Sequence, residues 1–267
     1  MSGALILVPL RVLYALWLSA AFLAVGLIAL VLLIVLPRLP PRRAAARTLA
    51  RLFLHAAGLP LTVRFAEHLP TGQCVVVCNH ASYLDGIVLT AALPPHFGFV
   101  IKREMADVPL AGALLKRLGS QFVERFHRQR SATDARRVLR SASQGNSVVF
   151  FPEGTFTRTP GLLNFHLGAF VTAVRAGCPL VPAVVRGTRR ALPPSGALPL
   201  PGRLELQILP AIAPAAGALD EHTAPKLREA ARNAMLAALG EPDLTCCDDT
   251  DRPPDTAPAR SAPASRP

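Results

Sequence analysis

Residues 12–36 carry no charged side chain and are almost entirely apolar. Wound as a helix, a run of that length reaches across the hydrocarbon core of a bilayer, which takes about 20 residues. A buried helix of a soluble domain is usually shorter and amphipathic. A cleavable leader fits poorly, because Ala44, Ala45 and Ala46 follow an arginine cluster rather than the apolar run itself. The first expectation is therefore a membrane anchor, ended by Pro37, Pro40 and Pro41. Whether it crosses both leaflets or enters one is open at this level.

Charge placement refines that expectation. The formal net charge is +12, and no acidic residue precedes Glu67, whereas Arg11, Arg38, Arg42, Arg43, Arg47, Arg51 and Arg64 do. Arginines just after the apolar run put that side in the cytoplasm by the positive-inside rule. The expected location is the inner (cytoplasmic) membrane, with the remainder of the chain facing the cytoplasm and touching membrane lipids. Nucleic acid is not the expected partner, since the basic residues flank an apolar run and no aromatic stacking platform is interleaved with them. Residues 42–57 suggest a second, basic amphipathic helix. Leu49, Leu52, Phe53 and Ala56 fall on one face, and Arg47, Arg51 and His55 follow at i, i+4 on another. Such a helix lies on a membrane surface or packs on its own domain, and the two are compatible.

With 51% hydrophobic and 17% charged residues, the chain suits one globular domain plus an anchor. Residues 1–58 form the anchor region, 59–240 the domain, and 241–267 a Pro-, Ala-, Asp- and Ser-rich tail expected to be disordered. From residue 61 the pattern alternates. Strands are predicted at 61–65, 74–78, 97–101, 121–123, 148–151, 180–185 and 204–209. Helices are predicted at 83–92, 110–118, 132–143, 168–176 and 224–239, with Ser131 as N-cap of the third and Gly145 past its end. Strands such as 74–78 and 148–151 lack a polar face, so helices should cover both sides. The fold class is α/β, a mixed, largely parallel sheet flanked by helices. Five cysteines without a CxxC pair argue for a reducing compartment and against zinc, so no metal is expected.

His80 follows the apolar run 74–78 and precedes a helix, which places it at the carboxyl end of a strand, where open α/β sheets hold ligands. Asp85 comes five residues later, as His-x4-Asp. Within one helix that spacing points to different faces. The two side chains meet only if His80 lies in the loop and Asp85 in the helix's first turn. Ser82 as N-cap, with Asp85 in the capping-box position, supports that arrangement. A carboxylate holding an imidazole makes a general base. Alone, the pair reads equally well as a helix cap beside a loop histidine, with Asn79 a turn residue.

Three further blocks change the reading: Lys102-Arg103-Glu104 through Phe122-Val123-Glu124-Arg125; Phe151-Pro152-Glu153-Gly154-Thr155 with Arg158 behind it; and Val181-Pro182-Ala183. With Asn79-His80 through Asp85, in this order, they resemble the lysophospholipid acyltransferase family, notably the 1-acylglycerol-3-phosphate acyltransferases. The resemblance covers roughly residues 60–210. It implies transfer of a fatty acyl group from acyl-CoA or acyl-carrier protein to the hydroxyl of a lysophospholipid, with no cofactor. On that pattern 1-acylglycerol-3-phosphate would give phosphatidic acid. His80 would be the base and Asp85 its partner, in a direct attack; no GxSxG elbow for a covalent route is present. Asn79 and Ser82 would bind substrate beside the base, Arg125 and Arg158 would hold an acidic headgroup, Glu153, Gly154 and Thr155 would form the acceptor pocket, and Pro182 the acyl-donor side.

The chain departs from the commonest pattern at Phe156, where many members carry Arg or a small polar residue, and at His166, where a lysine often stands. Both changes bear on the phosphate-bearing acceptor more than on acyl transfer itself; 1-acylglycerol-3-phosphate stays the leading expectation, with another lysolipid, such as a lyso-ornithine lipid, as the alternative. A non-catalytic lipid-binding module and a lipid hydrolase are the remaining alternatives.

Overall fold

The computed structural model describes residues 2–124, 128–194, 196–214 and 222–245. Helices α1 (Ser2–Val35) and α2 (Leu39–Ala56) lead into β1 (Leu61–Arg64), β2 (Val75–Cys78), α3 (Asp85–Ala92), β3 (Gly98–Lys102) and α4 (Ala111–Arg117). There follow β4 (Gln121–Val123), α5 (Arg128–Ser143), β5 (Val148–Phe150), α6 (Gly168–Ala176), β6 (Leu180–Arg186), α7 (Thr188–Ala191), β7 (Leu204–Ile208) and α8 (Thr223–Leu239). The seven strands form one sheet in the order β1-β7-β6-β2-β5-β3-β4. Among the described strands, β6 and β7 are the one antiparallel pair. The expected α/β class with a mixed, largely parallel sheet is what forms.

Burial follows the period of two along β2. Cys74, Val76 and Cys78 enter a core shared with Phe53 and Leu54 of α2 and Val88 and Leu89 of α3. Val75 and Val77 enter the opposite core with Phe170 and Ala173 of α6 and Met235 of α8. A strand wholly apolar in sequence is thus covered on both faces. Pro182 lies in β6, an interior strand, in register with Val77. The Leu209 N–H donates to the Pro182 carbonyl at 2.9 Å. The N–H that proline lacks would therefore face Leu209, just past the end of β7, where the ladder stops.

The N-terminal helices differ from expectation in detail. α1 begins at Ser2 and carries Pro9 and Arg11 within it, and Pro40 and Pro41 open α2 instead of merely closing α1. Proline suits a first helical turn because its missing N–H has no partner there. One stripe of α1 docks on the domain: Leu18 and Leu33 are buried, the Tyr14 hydroxyl donates to Ala57 O, and Phe22 meets Phe53 edge-on. Further along, Leu110 reaches Gly26. The remaining surface, including Leu13, Leu16, Leu23, Leu27, Val31 and Val35, stays exposed. So long an apolar face is unfavourable in water and fits contact with lipid.

The buried side of α2 is Ala46, Ala50, Phe53 and Leu54, and Leu52 is exposed. Its arginines turn toward the domain. Arg51 donates to Ala91 O at 2.8 Å, Arg47 to Ala92 O at 3.1 Å, and Arg43 to His96 O and Leu118 O. Arg47 and Arg51 thereby cap the orphan carbonyls at the end of α3, where positive charge also suits the helix dipole.

Elsewhere most boundaries move by a residue or so, and two differences bear on packing. α5 starts at Arg128, so Ser131 lies inside the helix rather than capping it. The segment from Glu241, read as disordered, begins with residues held to the domain. Asp243 pairs with Arg232 at 2.6 Å, which keeps its carboxyl well below the usual range, and Leu162 N–H donates to Pro242 O.

Candidate active site

β5, β2 and β6 are neighbours and run parallel, so their carboxyl ends open on one edge of the sheet. Three loops meet there: residues 79–84 after β2, 151–157 after β5, and Gly187 with α7 after β6. This is where an open α/β sheet places a ligand.

His80 and Asp85 meet as the spacing requires, with Nδ1 and Oδ2 2.8 Å apart. The same Oδ2 accepts the N–H of Ala81 at 2.6 Å and of Ser82 at 2.8 Å. The loop therefore wraps around a wholly buried carboxylate that stands at the start of α3. A carboxylate only accepts, so Nδ1 carries the hydrogen and Nε2 keeps its lone pair. The imidazole stacks on Phe151 at 4.3 Å between centroids and meets the edge of Phe156 at 4.5 Å. Phe156 in turn meets the exposed Tyr83 edge-on. The His80 side chain is 20% exposed, which leaves an approach to the ring.

The predicted capping box forms by half. Asp85 receives the Ser82 N–H, but the Ser82 hydroxyl accepts from Leu84 N–H and donates to Leu192 O at 2.8 Å. Helical structure begins at Asp85 and not at Tyr83. Asn79 is likewise turned to the scaffold. Its amide donates to Val185 O and accepts Val185 N–H at 2.7 Å, which ties the end of β2 to β6. Both side chains are buried. They hold the loop that carries His80 rather than lining the open side of the ring.

Glu153 is 4% exposed. Oε1 accepts the backbone N–H of His80 at 2.7 Å, and Oε2 accepts that of Leu163 at 2.9 Å. Burial pushes its carboxyl up to about 7, although the two N–H donors and Arg189 pull the other way; the charge of Asp85 adds to the rise. Gly154 turns the chain with φ of 76°, a left-handed conformation that glycine adopts without strain. Thr155 and Arg158 are exposed on the loop beyond, Pro182 is buried in the sheet below, and Arg125 lies outside the described residues. Sequence reasoning missed Arg189, whose guanidinium donates to Thr159 O and pairs with Glu241 at 3.2 Å, pinning this loop. No local pattern marks it, because its partners are 30 and 52 residues away.

The raised Glu153 carboxyl has a consequence for stability. Between its ordinary value of 4.5 and about 7 the folded chain holds a proton that the unfolded chain has released. Stability therefore falls as pH rises through that window. The drop should reach about 3 kcal/mol relative to Glu153→Gln, from roughly 1.4 kcal/mol per unit. Denaturant unfolding of both proteins in detergent at pH 4.5 and 7.5 tests this; parallel pH profiles would contradict it.

Comparisons with known proteins give the family. The family model described as Acyltransferase matches residues 60–186, which include the 79–84 and 151–157 loops of the site and end at the last residue of β6. The 1-acyl-sn-glycerol-3-phosphate acyltransferase alpha of Mus musculus is 30% identical over 201 residues, covering 73% of this chain and 70% of the mouse protein. The chain belongs to the lysophospholipid acyltransferase family. A family member from Pseudomonas aeruginosa, named lyso-ornithine lipid O-acyltransferase, is 34% identical over 149 residues, 54% of each chain. Matches to other curated relatives span 37% to 64% of their length. The crystal structure of the 1-acyl-sn-glycerophosphate acyltransferase from Thermotoga maritima superposes with a TM-score of 0.70 at 20% identity, over 86% of this chain and 94% of that one. The fold is thus shared over most of both chains.

Proposed function

We propose that the protein transfers a fatty acyl group from a thioester donor, acyl-CoA or acyl-carrier protein, to the free hydroxyl of a lysophospholipid. The observation that carries this reading is the His80–Asp85 pair, with Nδ1 held at 2.8 Å and the ring open to solvent. The acceptor hydroxyl gives its proton to Nε2 as its oxygen attacks the thioester carbonyl. Asp85 steadies the imidazolium that forms. The tetrahedral intermediate then collapses, the C–S bond breaks, and the proton passes to the leaving thiolate. Phe151 and Phe156 exclude water from the flanks of the ring, which strengthens its pairing with Asp85.

A lysophosphatidate acceptor agrees with the mouse relative's name. A second reading is favoured by Phe156, whose apolar ring stands against His80 at a point where a phosphate headgroup would gain from a cation. An acceptor whose hydroxyl is flanked by hydrocarbon suits that wall better, in line with the name of the Pseudomonas relative. The discriminating experiment is an acceptor panel of lysophosphatidate, lyso-ornithine lipid and monoacylglycerol, each with acyl-CoA and acyl-carrier protein. Turnover restricted to lysophosphatidate would discard the second reading; no turnover with any acceptor would discard both.

The exposed apolar face of α1 would be immersed in lipid. Because α1 is docked on α2 from Tyr14 and reaches α4 at Gly26, immersion in the near leaflet keeps the domain at the membrane surface. The arginines after the apolar run put that surface on the cytoplasmic side.

A further inference from the structure

We propose that Glu153 is a positioning residue that fixes the backbone of His80, rather than a contact for the acceptor. The inference rests on the acyl-transfer reading above and refines the site it uses.

The register of the sheet supplies the reason. Val77 of β2 stands opposite Phe150 of β5, the last pair of that ladder. His80 and Glu153 each lie three residues beyond it, on loops that diverge. Backbone pairing has stopped there, and a side chain takes its place: Glu153 Oε1 accepts the His80 N–H at 2.7 Å. On the opposite side of the same loop, Asn79 performs the matching task toward β6, with 2.7 Å to Val185 N–H. The residue bearing the catalytic ring is thus held from both neighbouring strands, at positions 79 and 80.

The second oxygen closes the argument. Oε2 accepts Leu163 N–H at 2.9 Å, and Leu162 is itself held by Pro242 O, Leu244 N–H and Arg232. Glu153 therefore links the His80 loop to a segment anchored through Asp243 on Arg232. With 4% exposure and both oxygens committed to backbone N–H groups, the carboxylate has no face left for a lipid headgroup. A displacement of the ring by about 1 Å costs on the order of a hundred-fold in rate. That is the scale on which a lost clamp acts.

The test is Glu153→Gln in the full-length protein at pH 8, where the Glu153 carboxyl is ionised. The amide nitrogen must face one of the two N–H donors, so one bond is replaced by a repulsion. The expected result is a fall in kcat of about ten- to a hundred-fold, with the acceptor KM within about two-fold of wild type. A rise in acceptor KM with kcat unchanged would overturn the proposal in favour of direct acceptor contact. Protein labelled with 15N-histidine in micelles gives a second readout. The His80 amide, identified by its loss in His80→Ala, should shift upfield in Glu153→Gln as its short hydrogen bond to a carboxylate is removed. An unmoved resonance would refute the clamp. If wild type acylates no lysolipid, the proposed function fails, and the amide shift alone still decides the clamp. Should Glu153→Gln not fold, Glu153→Asp, whose shorter side chain cannot hold both donors, carries the same two readouts.

Discussion

His80→Ala is expected to lower acyl transfer by about a hundred- to ten-thousand-fold, the usual contribution of a positioned general base. The variant should remain folded and membrane-bound. Alanine keeps the backbone N–H that Glu153 accepts, and Asp85 keeps the N–H donors of Ala81 and Ser82. What goes is the ring, its stacking on Phe151 and its bond to Oδ2. Single-turnover assays with a labelled thioester, alongside thermal unfolding in the same detergent, separate lost chemistry from lost structure. Undiminished turnover in a purified sample would remove His80 from the mechanism altogether. The same assay addresses a hydrolase: fatty acid released at an equal rate with and without acceptor would make water the nucleophile.

How much of this was readable beforehand depends on how far apart the interacting residues lie in the chain. The all-apolar β2, the loop-to-helix junction and the His80–Asp85 contact are local, and each followed from spacing and side-chain type. The Gly168–Ala176 helix and the Gln121–Val123 strand fall where the sequence put them. The roles of Asn79 and Ser82 were not readable, because their partners Val185 and Leu192 are 106 and 110 residues away. The arginines of α2 mislead for a similar reason. Amphipathic periodicity identifies a polar face, but not that α3 ends beside it with carbonyls to be capped. The start of α1 was set too late, since helix continuity through Pro9 and Arg11 is a backbone matter that charge counting does not report.

Gly187→Ala is expected to destabilise the fold by about 2–5 kcal/mol and to reduce activity with it. Gly187 has φ of 87°, which costs an L-residue about 1–2 kcal/mol. A Cβ there would sit 2.2 Å from the carbonyl oxygen of Arg203, a backbone atom of the segment entering β7. Relieving that overlap adds about 1–3 kcal/mol. The glycine joins β6 to α7, and the Leu192 carbonyl after α7 receives the Ser82 hydroxyl. A shift at Gly187 therefore reaches the loop that carries His80. Denaturant unfolding in detergent, read beside kcat, tests both effects. A variant as stable as wild type would show that β7 can yield at Arg203 without cost.

The loops around His80 come from three strands that are adjacent in space and remote in sequence. His80 meets Glu153 across 73 residues, and Asn79 meets Val185 across 106. Contacts between such distant segments form slowly, because long loops must close before they are rewarded. The His80–Asp85 contact needs only a short stretch of chain, whereas the loops around it need three strands of the sheet. A partly folded chain could thus bring imidazole and carboxylate together and still be inert. On that topology, the site is expected to be complete only once the central strands have closed on one another.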